Sequence, residues 1–80
     1  MIVITSAHME ELQRGKIPND LNQRLRDDIN FMLNQEGEAI VSFHPTSYCI
    51  YADIVETEFF NDEEMEGIKS DPYAVIKTQD

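Results

Sequence analysis

Cysteine and histidine are the side chains in this 80-residue sequence with the most chemical reach, and there are few of them: Cys49, His8 and His44. A Cys-His nucleophile needs a thiolate held by positive or dipolar surroundings. Cys49 instead falls within a β-rich run of a chain with formal net charge -10, where surrounding carboxylates oppose ionisation. A small apolar residue in a sheet is the favoured reading. The same three residues could be offered to zinc, but they lack the paired CxxC or HxxxH spacing that a tetrahedral site uses. Asp62-Glu63-Glu64 lacks the alternating acids and central glycine of a calcium loop. Paired carboxylates for glycoside chemistry would need a cleft with aromatic walls, and the chain has no Trp. The three glycines are isolated, so no phosphate-cradling loop is written here. The sequence points to a non-enzymatic protein with no cofactor and no metal.

Charge is the feature left to explain. The segment 53–66 sets seven carboxylates, Asp53, Glu56, Glu58, Asp62, Glu63, Glu64 and Glu66, among seven uncharged residues. It is the peak of a longer block, 27–68, which holds eleven acids and no Lys or Arg. Residues 1–26 carry four bases against three acids, and residues 69–80 cancel. Direct binding to nucleic acid or an anionic membrane would need the opposite sign, so the expected partner is a basic protein. Like-charged runs also keep small proteins soluble and discourage edge-to-edge pairing of sheets, which is the alternative meaning of the stretch.

Two observations favour a binding surface. Uncompensated acids closer than the ~10 Å screening length repel one another, a cost that interleaved Lys would remove. On an extended strand Glu56 and Glu58 would share a face ~6.8 Å apart, a spacing of the same order as that of phosphates along a nucleic-acid strand. Small, compact, strongly acidic proteins of this kind are similar in character to phage-encoded anti-defence inhibitors, including DNA-mimic anti-CRISPR and anti-restriction proteins. The likeness is one of size, charge and compactness. It implies an inhibitor acting in the host cytoplasm on a nucleic-acid-binding defence protein, with Phe59, Phe60 or Tyr51 as apolar anchors. The second expectation is an assembly module, a homodimer or small subunit, whose acids serve solubility alone.

The elements that must carry these residues follow from periodicity and caps. Eighty residues make one small domain, and a single cysteine in a domain without staples points to a reducing compartment, the cytoplasm. No apolar run approaches the ~20 residues of a membrane span. Met1–Thr5 reads as a buried strand, and Ser6 as the cap of a helix over 7–14 that Gly15 ends. Asn19 reads as the next cap. Leu21, Leu25, Ile29, Met32 and Leu33 then form the apolar face of a main helix over 20–34, stopped near Gly37. Residues 39–43 and 48–55 read as a hairpin joined by His44-Pro45-Thr46-Ser47, with Pro45 ending the first strand. Tyr48, Ile50, Ala52 and Ile54 share one face of the second strand, and Cys49, Tyr51, Val55 and Phe59 the other. Both faces are apolar enough to want one helix each, and an uncovered part would suit a homodimer. Asn61 and Glu64 have capping-box spacing for one or two turns reaching Gly67. Ser70-Asp71-Pro72 reads as a turn and 73–77 as a last strand, with 78–80 frayed. The sum is an α+β domain, a mostly antiparallel sheet of three or four strands under the main helix and a short N-terminal helix.

Overall fold

The computed structural model describes residues 1–78; the expected fraying at 79–80 lies outside them. The fold is α+β. Four strands, β1 (Ile2–Ile4), β2 (Glu38–Pro45), β3 (Ile50–Ile54) and β4 (Ala74–Thr78), form one antiparallel sheet in the order β1-β3-β2-β4. Helices α1 (Ser6–Gln13) and α2 (Gln23–Glu36) lie between β1 and β2, and a 3-10 turn (Thr57–Phe59) and α3 (Asp62–Lys69) lie between β3 and β4. Thr78 pairs with Glu38 inside β4 and is not frayed.

The main core lies on one face of the sheet. Ile4, Ala39, Val41, Phe43 and Ala52 supply its floor, and Leu12, Leu21, Leu25, Ile29 and Leu33 its roof. Alternation along β2 puts residues 39, 41 and 43 here, and registry brings Ala52 opposite Phe43 and Ile54 opposite Val41. Ala39 and Ala52 are both fully buried, small residues that let α2 approach the sheet closely. Helices α1 and α2 therefore serve the same face, and the expected arrangement of one helix per face does not hold. The other face is served by α3, which packs on β4 and joins the sheet through Lys69 Nζ to Glu38 Oε1 at 3.3 Å. Ile40 is buried on that second face, apart from the main core.

Several boundaries differ from the expectation. Helix α1 begins one residue early: Thr5 Oγ1 accepts from the His8 amide at 3.1 Å and His8 Nδ1 accepts from the Thr5 amide at 3.5 Å. With Nδ1 accepting, His8 Nε2 donates to Asp20 Oδ1 at 3.0 Å, so His8 and Asp20 are taken up in holding α1 to the following loop. Helix α2 starts at Gln23 and not at 20, because Asn22 is the cap, its Oδ1 accepting from the Arg24 amide at 2.9 Å. Leu21 reaches the core from a turn closed by its amide to the Pro18 carbonyl, and Arg26 Nη1 ties the Asn19 carbonyl to α2 at 3.2 Å. At the other end α2 runs to Glu36, and Gly37 adopts φ 76°, the left-handed cap that glycine takes without strain.

Strand β1 sits at an edge, with Val3 57% exposed, so it is not a strand buried on both faces. Strand β2 continues through Pro45, beyond its last partner on β4, the Ser42–Ala74 pair. Past the Phe43 amide, which donates to the Tyr73 carbonyl at 2.7 Å, it has a neighbour on one side only, and the missing proline amide leaves no ladder bond unmade. The hairpin loop is closed by Thr46, whose hydroxyl donates to the Cys49 carbonyl at 2.8 Å and accepts from the Tyr48 and Cys49 amides. Among the described residues no helix is long and apolar enough to cross a membrane.

Candidate functional site: the acidic segment and the groove beside it

All seven carboxylate-bearing residues of 53–66 are exposed, but they are not arranged on one strand. Asp53 lies in β3, paired with Ser42. Strand β3 ends at Ile54, and Val55 makes the last sheet bond, to the Ile40 carbonyl. The chain then tightens: Phe59 and Phe60 donate to the carbonyls of Glu56 and Thr57, three residues back. Glu56 caps this 3-10 turn and Glu58 lies inside it. The ~6.8 Å spacing of an extended strand thus does not apply to this pair. One reason is visible in the sheet: β1 reaches only to Ala52 through Ile2, so past that point β3 has a partner on one side only.

Phe59 does not anchor the strand end in the core. It is 71% exposed, and Phe60 is also exposed. Asp62, Glu63 and Glu64 fill the first turn of α3, where the helix dipole favours negative charge. Here the local reading holds in full: Asn61 Oδ1 accepts from the Glu64 amide at 2.8 Å, and Glu64 Oε1 accepts from the Asn61 amide at 3.2 Å. The helix runs past Gly67 to Lys69, ended by Ser70, whose hydroxyl donates to the Glu66 and Gly67 carbonyls. Replacing Asn61 with alanine is expected to destabilise the domain by ~1 kcal/mol; a denaturant midpoint equal to wild type would show that α3 does not depend on its cap.

Of the seven carboxylates, only that of Glu64 is engaged by a hydrogen bond or ion pair with a described residue. Glu64 is thus structural, and the other six are unneutralised. Seen with its neighbours, the segment also borders a groove that the sequence did not reveal. The groove, of about 500 Å³, runs between α2 and the end of β3. Arg24, Asp28, Phe31, Met32 and Glu36 come from α2; Ile54, Glu56 and Glu58 come from the other side. Phe31 is 61% exposed. The signal that could have found it is its position, off the apolar stripe of α2 and among polar residues.

On the second sheet face, Ser42 Oγ and His44 Nε2 lie 3.4 Å apart, with Asp53 beside Ser42 in the register. The three residues line one shallow depression with Phe59 and Phe60. No hydrogen bond joins Asp53 to His44 among the described residues, so the carboxylate does not orient the imidazole as a relay would require. Cys49 is half-buried, with its sulfur 3.8 Å from Thr46 Oγ1. A hydrogen bond with Cys49, the charge of its thiolate and partial desolvation, in that order, raise the Tyr51 phenol above its ordinary range. Among the described residues no three His, Cys, Asp or Glu side chains converge as metal ligands.

No protein-family model, curated protein or solved structure matches the chain. The functional reading therefore rests on the residues and their placement.

Proposed function

We infer that this protein is a non-enzymatic acidic binding protein that docks on a basic, nucleic-acid-binding surface of another protein, as phage-encoded anti-defence inhibitors of the anti-CRISPR and DNA-mimic kind do. The observation that carries the reading is the display of six unneutralised carboxylates, Asp53, Glu56, Glu58, Asp62, Glu63 and Glu66, on consecutive folded elements with the exposed Phe59 and Phe60 among them. Rigidly held carboxylates can meet the Lys and Arg that otherwise hold phosphate, and complementary fields speed the encounter. Exposed aromatics supply the apolar contact that gives such interfaces much of their affinity.

The test is competition against DNA. The tagged chain, incubated with lysate of a candidate host, is expected to retain a nucleic-acid-binding protein that duplex DNA displaces and that is released between about 50 and about 200 mM salt. The quadruple variant Glu56→Lys/Glu58→Lys/Glu63→Lys/Glu66→Lys should lose that retention; Glu64 is left in place because it caps α3. Retention by the folded variant equal to wild type would defeat the reading.

A second reading, the homodimer or assembly module, is favoured by the exposed apolar residues Val3 and Phe59, with half-buried Tyr51 on the same sheet face as Val3. It predicts a salt-insensitive dimer by light scattering that Tyr51→Asp dissociates.

A further inference from the structure

The groove between α2 and the 54–58 segment combines two features. Its floor is apolar, from Met32, Ile54 and the exposed ring of Phe31. Its rim is anionic, with Asp28 and Glu36 on the α2 side and Glu56 and Glu58 opposite, against the single guanidinium of Arg24. None of the four carboxylates has a hydrogen-bond or ion-pair partner among the described residues. A volume of about 500 Å³ falls in the ~300–1,000 Å³ range of sites that enclose a compact ligand group.

These features select among possible occupants. A phosphate or nucleic acid is repelled by the rim. A divalent cation would need several oxygens converging on one point, and no such group is present among the described residues. An uncharged apolar segment would bury the floor but leave four carboxylates to be desolvated without partners, which is costly. A guanidinium meets both demands, because it is planar, stacks on an aromatic face and donates in-plane hydrogen bonds to carboxylates at its edge. Lysine meets only the second, as a compact and strongly hydrated charge.

We propose that this groove is the docking site for an arginine side chain of a basic protein segment, with the guanidinium over Phe31 and its N–H groups directed to the rim carboxylates nearest it. The proposal rests on the acidic-surface reading and narrows it, assigning partner specificity to α2 residues that lie outside the segment 53–66. It makes Phe31, a residue of no evident use to the fold, the determinant that distinguishes arginine from lysine.

The test is fluorescence anisotropy of labelled oligoarginine and oligolysine of equal length, titrated with the protein at low salt. Wild type is expected to bind oligoarginine more tightly than oligolysine. Phe31→Ala should weaken oligoarginine by about three- to thirtyfold, the range of a stacked cation–π contact, and remove the preference. Glu56→Gln/Glu58→Gln should weaken both peptides, while Asp62→Asn/Glu63→Gln/Glu66→Gln, on α3, should weaken oligoarginine less. Phe31 is largely exposed, so its variant should retain the wild-type circular dichroism. Should the α3 variant abolish binding while Phe31→Ala and Glu56→Gln/Glu58→Gln leave it within about twofold, well below a cation–π loss, the groove proposal falls and the acidic-surface reading stands. If none of the three variants weakens binding, both fall. Equal affinity of wild type for the two peptides would overturn the role given to Phe31 and with it the proposal.

Discussion

Replacing Ile29 with alanine is expected to cost ~2–5 kcal/mol of folding stability. Ile29 is the middle member of the α2 stripe Leu25, Ile29 and Leu33, and it is completely buried against the sheet floor. The truncation removes transfer free energy and leaves a cavity. Its surroundings cannot easily close, because α2 is held at both ends, by the Asn22 cap and by Gly37. A domain of this length has a total stability of roughly 0.05–0.15 kcal/mol per residue, so the substitution removes a large share of it. Urea unfolding would show the midpoint falling steeply, with Ile29→Val giving a graded loss of ~0.5–1.5 kcal/mol. An alanine variant with an unchanged midpoint would mean that α2 does not pack on the sheet as described.

Ile40→Ala should have a comparable cost, ~2–5 kcal/mol, but a different signature. Ile40 is fully buried on the second face, opposite Ile76 in the register, with the Val55 amide bonded to its carbonyl. The cover on that side is α3, which carries Asp62, Glu63 and Glu66 and joins the sheet through half-buried Ile68 and the Lys69–Glu38 ion pair. Losing Ile40 weakens the apolar seat beneath this helix. Amide hydrogen exchange in 62–69 should therefore accelerate more than exchange in α2, the reverse of the Ile29→Ala pattern. Exchange in α3 that merely follows global unfolding would argue that α3 and the main core form one cooperative unit.

The two substitutions divide the molecule into the two layers on either side of the sheet. Below the sheet lies a conventional core whose residues recur with helix and strand periods. Above it lies a thin layer that displays charge, and there burial is sparse: no residue of α3 is fully buried. The unneutralised acids of this layer, Asp53, Asp62, Glu63 and Glu66, repel one another. If the proposed basic partner neutralised them it would relieve that repulsion, and binding would then raise stability through the same carboxylates.

Reading the residues in order located the three α-helices and the four strands, though not the 3-10 turn at Thr57–Phe59, and the reasons are local. The 25, 29, 32, 33 spacing identifies α2 because 3.6-residue periodicity is a property of the segment itself. Asn61 and Glu64 announced α3 because a capping box closes within four residues, and Gly37 marked the end of α2 because glycine adopts φ 76° without a side-chain penalty. The role of Glu64 as a structural acid was legible for the same reason. The choice between Asn19 and Asn22 was not. Both are good caps, and the outcome depends on His8 meeting Asp20 and on Leu21 reaching the core from outside the helix.

What the sequence alone determined about this protein is therefore its set of elements, its α+β class and the concentration of negative charge between residues 27 and 68. Only the tertiary structure decided that α1 and α2 cover one face, that β3 stops at Ile54 so that Glu56 and Glu58 leave the strand, and that Phe31 lines a groove with them. Each of these depends on which strands pair and how far their partners extend. Those are contacts between residues distant in the chain, and neither periodicity nor capping encodes them.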